Sequence, residues 1–461
     1  MSRTSLPSTA APVGSHDASR PPATNGKAPV TPRQGAAVEG ARADHETGAV
    51  ASGAGIAGMA GPAGPARPES FEHARTPHLK APGIRSAAMA SPHDELWEAE
   101  PHTLAKHAIL RGYLAAWFPI LVAAGHRRLV YFDGFAGPGR YKGGEEGSPL
   151  IALNAARHHF AALRGVQLSF VFVEQNPKFA AWLRTEIVQL KLPTHQFKVH
   201  VVESDCETAL RKLLHQLESS QRGAIPTFAL LDPFGVKGLS FSLVKRLLER
   251  RLCEAFVNFM THTAQRWHGV IPEHINRLIG DPQAATVIAA SPTKAEAARA
   301  LYEASLTSVA RFTCCFRMRS RSDQPIYDLF FATQNDVGFE RMKEAMWAVD
   351  KTGAFKFSDA SDPNQTTLFT PDPGRDLAEV LSRFFSGRRV VYEEVERFVV
   401  ERTIYLPSHA KKALRTLELG LSPMSGTLTV EPIKRDGSRR RGHYFADGTF
   451  MTFPAREGPT P

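Results

Sequence analysis

The chain has 461 residues, 43% of them hydrophobic, and a formal net charge of +10. That is enough apolar content for two folded domains, and the basic balance leans toward an acidic partner such as nucleic acid. No apolar run approaches the roughly 20 residues needed to span a bilayer, and the N-terminus lacks the apolar core of a secretory leader, so neither a membrane nor an exported protein is expected. The four cysteines, Cys206, Cys253, Cys314 and Cys315, form no CxxC pair. Reduced thiols in a cytoplasmic setting are therefore expected.

Residues 1–92 are rich in Ala, Gly, Pro and Ser and carry no periodic apolar pattern, so a disordered tail is expected there. Composition changes at "HDELWEAEPHTLAKHAIL". A helix follows, with Leu110, Leu114, Trp117, Phe118 and Leu121 on one face. After it the strands "RLVYFD", "LSFVFVE", "FKVHVVE", "PTFALLD" and "EAFVNFM" alternate with amphipathic helices, the pattern of a parallel, doubly wound α/β sheet. A helical stretch to about Arg311 precedes two more strands, "FTCCFRMRS" and "IYDLFFAT", expected to form an antiparallel hairpin at one edge of the sheet. This domain is assigned to 93–360, and a Pro/Asp-rich linker to 361–375. A small basic domain follows over 376–455, reading as three helices and the hairpin "LTVEPIKRDGSRRRGHYF", which describes a winged helix-turn-helix.

The first strand runs into "DGFAGPGRY". The spacing Gly134-x-x-Gly137-x-Gly139 is not that of a dinucleotide fold, and no Gly-Lys-Ser/Thr follows to make a Walker loop. Asp133, directly before the first glycine, would repel a pyrophosphate but suits a cationic ligand such as the amino or sulfonium side of S-adenosyl-L-methionine. Small residues let the backbone approach that ligand. Glu174 ends the second strand, where a carboxylate accepts from both ribose hydroxyls. Asp205 follows the third, placed for an adenine amino group; each acid alone is equally well read as a helix cap. The fourth strand ends "LLDPFG", in which Asp232, Pro233 and Phe234 supply an acceptor, a fixed carbonyl and a ring for stacking. No metal-ligand spacing is present. In the tail domain, Lys411, Lys412 and Arg415 on the last helix and Arg439, Arg440 and Arg441 on the hairpin form a candidate nucleic-acid surface, with a solvated basic loop as the plainer alternative.

Taken together, "LAKHAILRGYLAAWFPIL", "YFDGFAGPGRY", "GSPLIAL", "LLDPFG", "VNFM" and "MKEAMWAVD" resemble the three-Cys-motif partner proteins, a family similar to class I adenosylmethionine-dependent methyltransferases. The resemblance covers about residues 94–455. It implies S-adenosyl-L-methionine on Asp133, Gly134, Gly137, Gly139, Glu174 and Asp205, and catalysis at Asp232, Pro233 and Phe234. The amino-methyltransferase pattern has a second proline that this chain lacks. The resemblance also implies a separate radical-adenosylmethionine-type partner with a three-cysteine cluster. Lys106 and His107 read either as residues closing over the site or as a surface cation and a packing histidine. Two rivals stand beside the methyltransferase: a non-catalytic nucleic-acid-binding adaptor that recruits the partner, and a nicotinamide-dependent oxidoreductase, which the glycine spacing disfavours.

Overall fold

A computed structural model describes residues 96–219, 224–233, 239–360, 372–421 and 426–455. The tail expected over 1–92 and residues 361–371 of the expected linker lie outside them. The main sheet starts with five strands: β1 (Arg128–Asp133), β2 (Gln167–Val173), β3 (Phe197–Val202), β4 (Thr227–Leu231) and β5 (Cys253–Phe259). It is completed by β6 (Phe312–Arg319), β7 (Pro325–Thr333) and β8 (Lys356–Ser358). The order across it is β3-β2-β1-β4-β5-β7-β6-β8. Strands β1 to β5 pair in parallel, and β7 runs antiparallel to both β5 and β6. Successive residues of a strand point to opposite faces, so each strand feeds two cores. On β1, Leu129 and Tyr131 enter one core, Val130 and Phe132 the other.

Helices α1 (Pro101–Ala123), α2 (Ser148–His158) and α3 (Pro177–Gln189) cover the first face. The second is covered by α4 (Cys206–Glu218), α5 (Phe241–Leu248), α6 (Thr261–Trp267), α7 (Pro272–Ile279), α8 (Ala284–Ala290) and α9 (Lys294–Thr307). Helix α10 (Asp336–Val349) returns to the first face beside α1. This is the doubly wound, Rossmann-like α/β fold expected from the alternation. The chain leaves β1 toward β2 on one side and returns through β4 on the other, which opens a crevice at the carboxyl ends of these strands. The expected antiparallel pair, β6 and β7, is present, with one further strand added beyond it. Strand β7 lies inside the sheet, and β8 pairs in parallel with β6 through Arg317↔Lys356 and Met318↔Phe357. Three residues show no periodicity, so β8 is set by its pairing alone.

The second, smaller domain contains α11 (Pro373–Phe384), β9 (Arg389–Val391), α12 (Tyr392–Arg402), α13 (Pro407–Glu418), β10 (Thr429–Val430) and β11 (Phe450–Thr452). Its strands pair in the order β10-β11-β9. Leu377, Leu381, Val395, Leu414, Leu417 and Met451 close a separate core. This is a winged helix, with β9 as a strand that its length hid. The long hairpin is shorter than expected. Only Thr429 and Val430 pair with β11, and residues 431–449 form the wing, which carries a small turn bridged by Ile433 and Arg439.

Helix α10 joins the two domains. Lys343, buried within α10, donates through Nζ to the carbonyls of Val399 (3.3 Å), Val400 (3.2 Å) and Thr403 (2.8 Å) at the end of α12. A helix C-terminus leaves such carbonyls unpaired and favours a cation beside them. Trp347 donates from Nε1 to the Ile404 carbonyl at 2.8 Å, and its ring meets the His409 ring edge-on at 4.6 Å.

Candidate functional site

A cavity of about 550 Å³ opens at the carboxyl ends of β1, β2 and β3, within the size range of nucleoside-cofactor sites. Gly134, Gly137, Glu174 and Asp205 line it, with Val173, Phe135, Phe179 and Leu239 as apolar wall. The three glycines of the turn serve different ends. A Cβ on Gly134 would stand 2.5 Å from the Cys206 sulfur, so this glycine lets α4 pack onto β1. Gly139, at φ +92°, faces Leu183 of α3. Gly137, at φ +65°, has nothing within 4 Å of its missing Cβ and presents bare backbone to the cavity.

The acids differ as much. Glu174 accepts from the Gly137 N–H at 2.9 Å and from the Asn176 N–H at 2.7 Å, so it holds the glycine turn while lining the crevice. Asp205 caps α4, accepting through Oδ1 from the Thr208 N–H at 2.8 Å; that bond holds its carboxyl below the usual range. Asp133 is fully buried beneath the turn. Its Oδ1 accepts from the Phe135 N–H at 3.2 Å, and Oδ2 has no partner of hydrogen-bond geometry. Burial pushes this carboxyl up to about 7, against the pull of the Ser148 hydroxyl and the Phe135 N–H.

Asp232 follows β4 and is clamped. Its Oδ2 pairs with the Lys106 ammonium and its Oδ1 accepts from Asn258 Nδ2 at 2.6 Å. Burial acts to raise its pKa, but the Lys106 charge and the two hydrogen bonds outweigh burial and leave the carboxyl below its ordinary range. Lys106 is therefore no surface cation: it is 6% exposed, with its Nζ 5.6 Å from the centre of the Tyr327 ring. Burial and the neighbouring Lys106 charge lower the His107 pKa to about 3, so His107 is neutral beside Asp232 in a small side cavity. Pro233 lines an adjoining apolar niche, while Phe234 lies outside the described residues.

Among the site residues that sequence reasoning missed are Asn258 and Arg277. Asn258 was visible as one of two polar residues, with Glu254, in the otherwise apolar run "EAFVNFM". Arg277 was not: it reaches the cavity from α7 and meets Glu207 at 3.4 Å.

The basic surface of the winged helix divides into tied and untied cations. Arg440 is corrected from a phosphate contact to a strut. It is bidentate on Glu418, at 2.5 and 2.7 Å, and its side chain is only 6% exposed. Lys412 pairs with Asp372 at 2.8 Å. No described carboxylate lies within ion-pair distance of Lys411, Arg415, Arg439 or Arg441.

Residues 356–420 match the family described as GMT-like wHTH domain. Nothing among curated proteins matches the chain. Among solved structures, it is similar to protein LPL1258 from Legionella pneumophila at 13% identity, over 54% of this chain and 92% of that one, with a TM-score of 0.33. It is also similar to a SAM-dependent methyltransferase from Agrobacterium tumefaciens (12% identity, 48% and 61% covered, TM-score 0.24). A third is the magnesium protoporphyrin IX methyltransferase of Synechocystis PCC 6803 with bound SAH (13%, 50% and 84%, TM-score 0.25). At such scores these likenesses carry no information about chemistry. What the chain's own topology establishes is a Rossmann-like α/β sheet joined to a winged helix.

Proposed function

We propose that the crevice binds S-adenosyl-L-methionine and that the chain is a methyltransferase acting on nucleic acid, held by the winged helix. The observation that carries this reading is the convergence of Gly137, Glu174 and Asp205 on one cavity, at the turn that follows the buried Asp133 with its partnerless carboxyl oxygen. These residues fit the cofactor. Glu174 has lone pairs left for a ribose diol, Asp205 lines the cavity where a carboxylate can accept from an amino group, and Asp133 supplies negative charge beneath a cation. Gly134 and Gly139 give the turn its packing and its shape.

The bound cofactor supplies an electrophilic methyl group, and the chain's own residues position the nucleophile and take its proton. Asp232 is the acceptor in this reading. Because Lys106 and Asn258 keep it ionised, it receives a hydrogen bond from the target first. It is a weak base, so it takes the proton only once methylation has made the target acidic. Pro233 shapes the turn, and Phe234 is the proposed stacking partner. The reading includes a cytoplasmic setting and a three-Cys-motif radical-SAM-type partner. All four cysteines are free, and no described helix is long and apolar enough to cross a membrane.

The same clamp on Asp232 favours a second reading, the non-catalytic adaptor that binds the cofactor or recruits the partner. Calorimetry with S-adenosylhomocysteine and transfer of a radiolabelled methyl group to DNA and RNA separate the two. Glu174→Ala is expected to weaken cofactor binding through loss of a charge-assisted bond of about 1.5–3 kcal/mol. Asp232→Ala is expected to abolish transfer while cofactor affinity stays. Cofactor binding without transfer by wild type, even with the partner added, leaves the adaptor. No binding of S-adenosylhomocysteine sinks the methyltransferase and leaves only an adaptor that recruits the partner.

A further inference from the structure

We propose that the winged helix takes single-stranded nucleic acid, through its wing and the middle of α13, rather than a duplex through the N-terminus of α13. This rests on the nucleic-acid part of the reading above and is independent of the cofactor. In helix-turn-helix proteins the N-terminal residues of the second helix reach base edges in the major groove. Here that end packs against the larger domain, and of its first turn only Ser408 is exposed. Leu406, which precedes α13, is buried in the core of the larger domain, and His409 in its first turn packs edge-on against Trp347. Lys343 and Trp347 hold the preceding residues, through the carbonyls of Thr403 and Ile404.

What remains exposed has a different character. Lys411 and Arg415 face solvent on α13, and Arg439 and Arg441 on the wing. Tyr444 stands among them at 61% exposure, with the Lys411 Nζ 5.8 Å from its ring centre. The wing is held in place, because Arg440 and His443 both bind Glu418 at the end of α13. Arg440 also donates from Nε to the Tyr444 carbonyl at 3.2 Å. The nearby acids Glu393, Glu418 and Glu431 are each neutralised by an arginine, leaving Asp436, Asp447 and Glu396, which accepts from the Tyr392 hydroxyl, against the free cations. An exposed ring flanked by untied cations suits a single strand: a base stacks on Tyr444 while the cations neutralise its phosphates. Paired bases in a duplex have no free face to offer that ring.

The test is fluorescence anisotropy of the full chain with labelled single-stranded DNA and RNA, and with the same DNA annealed to its complement. The single strands are expected to bind more tightly than the duplex at equal salt. Tyr444→Ala should weaken single-strand binding about tenfold with an unchanged melting temperature, since the ring is exposed, and Tyr444→Phe should restore it. The Arg439→Ser/Arg441→Ser variant should flatten the log–log salt slope by about one to one and a half units. Duplex binding as tight as that of the single strand, or a Tyr444→Ala variant with wild-type affinity, overturns the proposal while leaving nucleic acid as partner. Binding of neither form removes the nucleic-acid reading itself.

Discussion

Burial raises the Asp133 carboxyl from 3.8 to about 7, so over that interval the folded chain keeps a proton that the unfolded chain releases. The stability contributed by this group is therefore full below about 4 and is lost as pH rises through about 7. The ligand-free melting temperature should fall across that range, and Asp133→Asn should flatten the fall. A cation bound above the turn favours the ionised form, so cofactor binding near pH 7 should release a proton. Calorimetry in buffers of different ionisation heat measures that proton, and a heat independent of buffer would contradict the placement of Asp133 under the cation. Lys106 and Asp232 make the opposite case, a buried pair already complete. Lys106→Met leaves a buried carboxylate without its counter-charge, at a cost of about 3–5 kcal/mol in urea denaturation. Adding Asp232→Asn to Lys106→Met should recover much of that loss. A double variant no more stable than the single one would show that the ion pair is not the origin of the cost.

Elements here are joined by a few buried cations acting on carbonyls and carboxylates. Lys343 is one, its pKa lowered by burial to about 8, with three carbonyls at the end of α12 around its Nζ. Lys343→Met keeps the stem but strands those carbonyls, a loss of about 1–3 kcal/mol. Hydrogen exchange should then rise at the junction of α12 and α13 more than in β1 or β4, and uniform exchange across both would argue against a local joint. Arg440 is another. Arg440→Ser should lower the melting temperature clearly, because it leaves Glu418 half-buried with only His443, whereas Arg439→Ser and Arg441→Ser should leave it unchanged. Equal effects of the three would mean that the wing is not held by that strut. Sequence reading missed the fourteen-residue helix α10 and three strands; the strands, β8, β9 and β11, are three residues each, too short to show a period. Their partners in the sheets define them.

Across the whole molecule, residues 1–92 contain no pattern able to pack, so their deletion should leave melting temperature and cofactor binding unchanged in calorimetry. A marked loss of stability would reveal a docking segment among them. The rest divides by the range of the interactions involved. Alternation of apolar runs with amphipathic helices determined the doubly wound sheet, because strand and helix periodicities are local properties that burial on two faces imposes directly on the sequence. The turn at Gly134, Gly137 and Gly139 was legible too, since positive φ and close packing leave glycine as their mark. The sequence also identified Asp133, Glu174, Asp205 and Asp232 as acids at strand ends. It could not say which of them is buried, which caps a helix, or which is clamped. Those outcomes depend on Lys106, 126 positions from Asp232, and on Asn258, 26 positions away. The untied cations of the wing were likewise separable from the tied ones only once Glu418 met Arg440 across the domain. Charge and spacing are written along the chain, but the partner that neutralises a charge is chosen by packing.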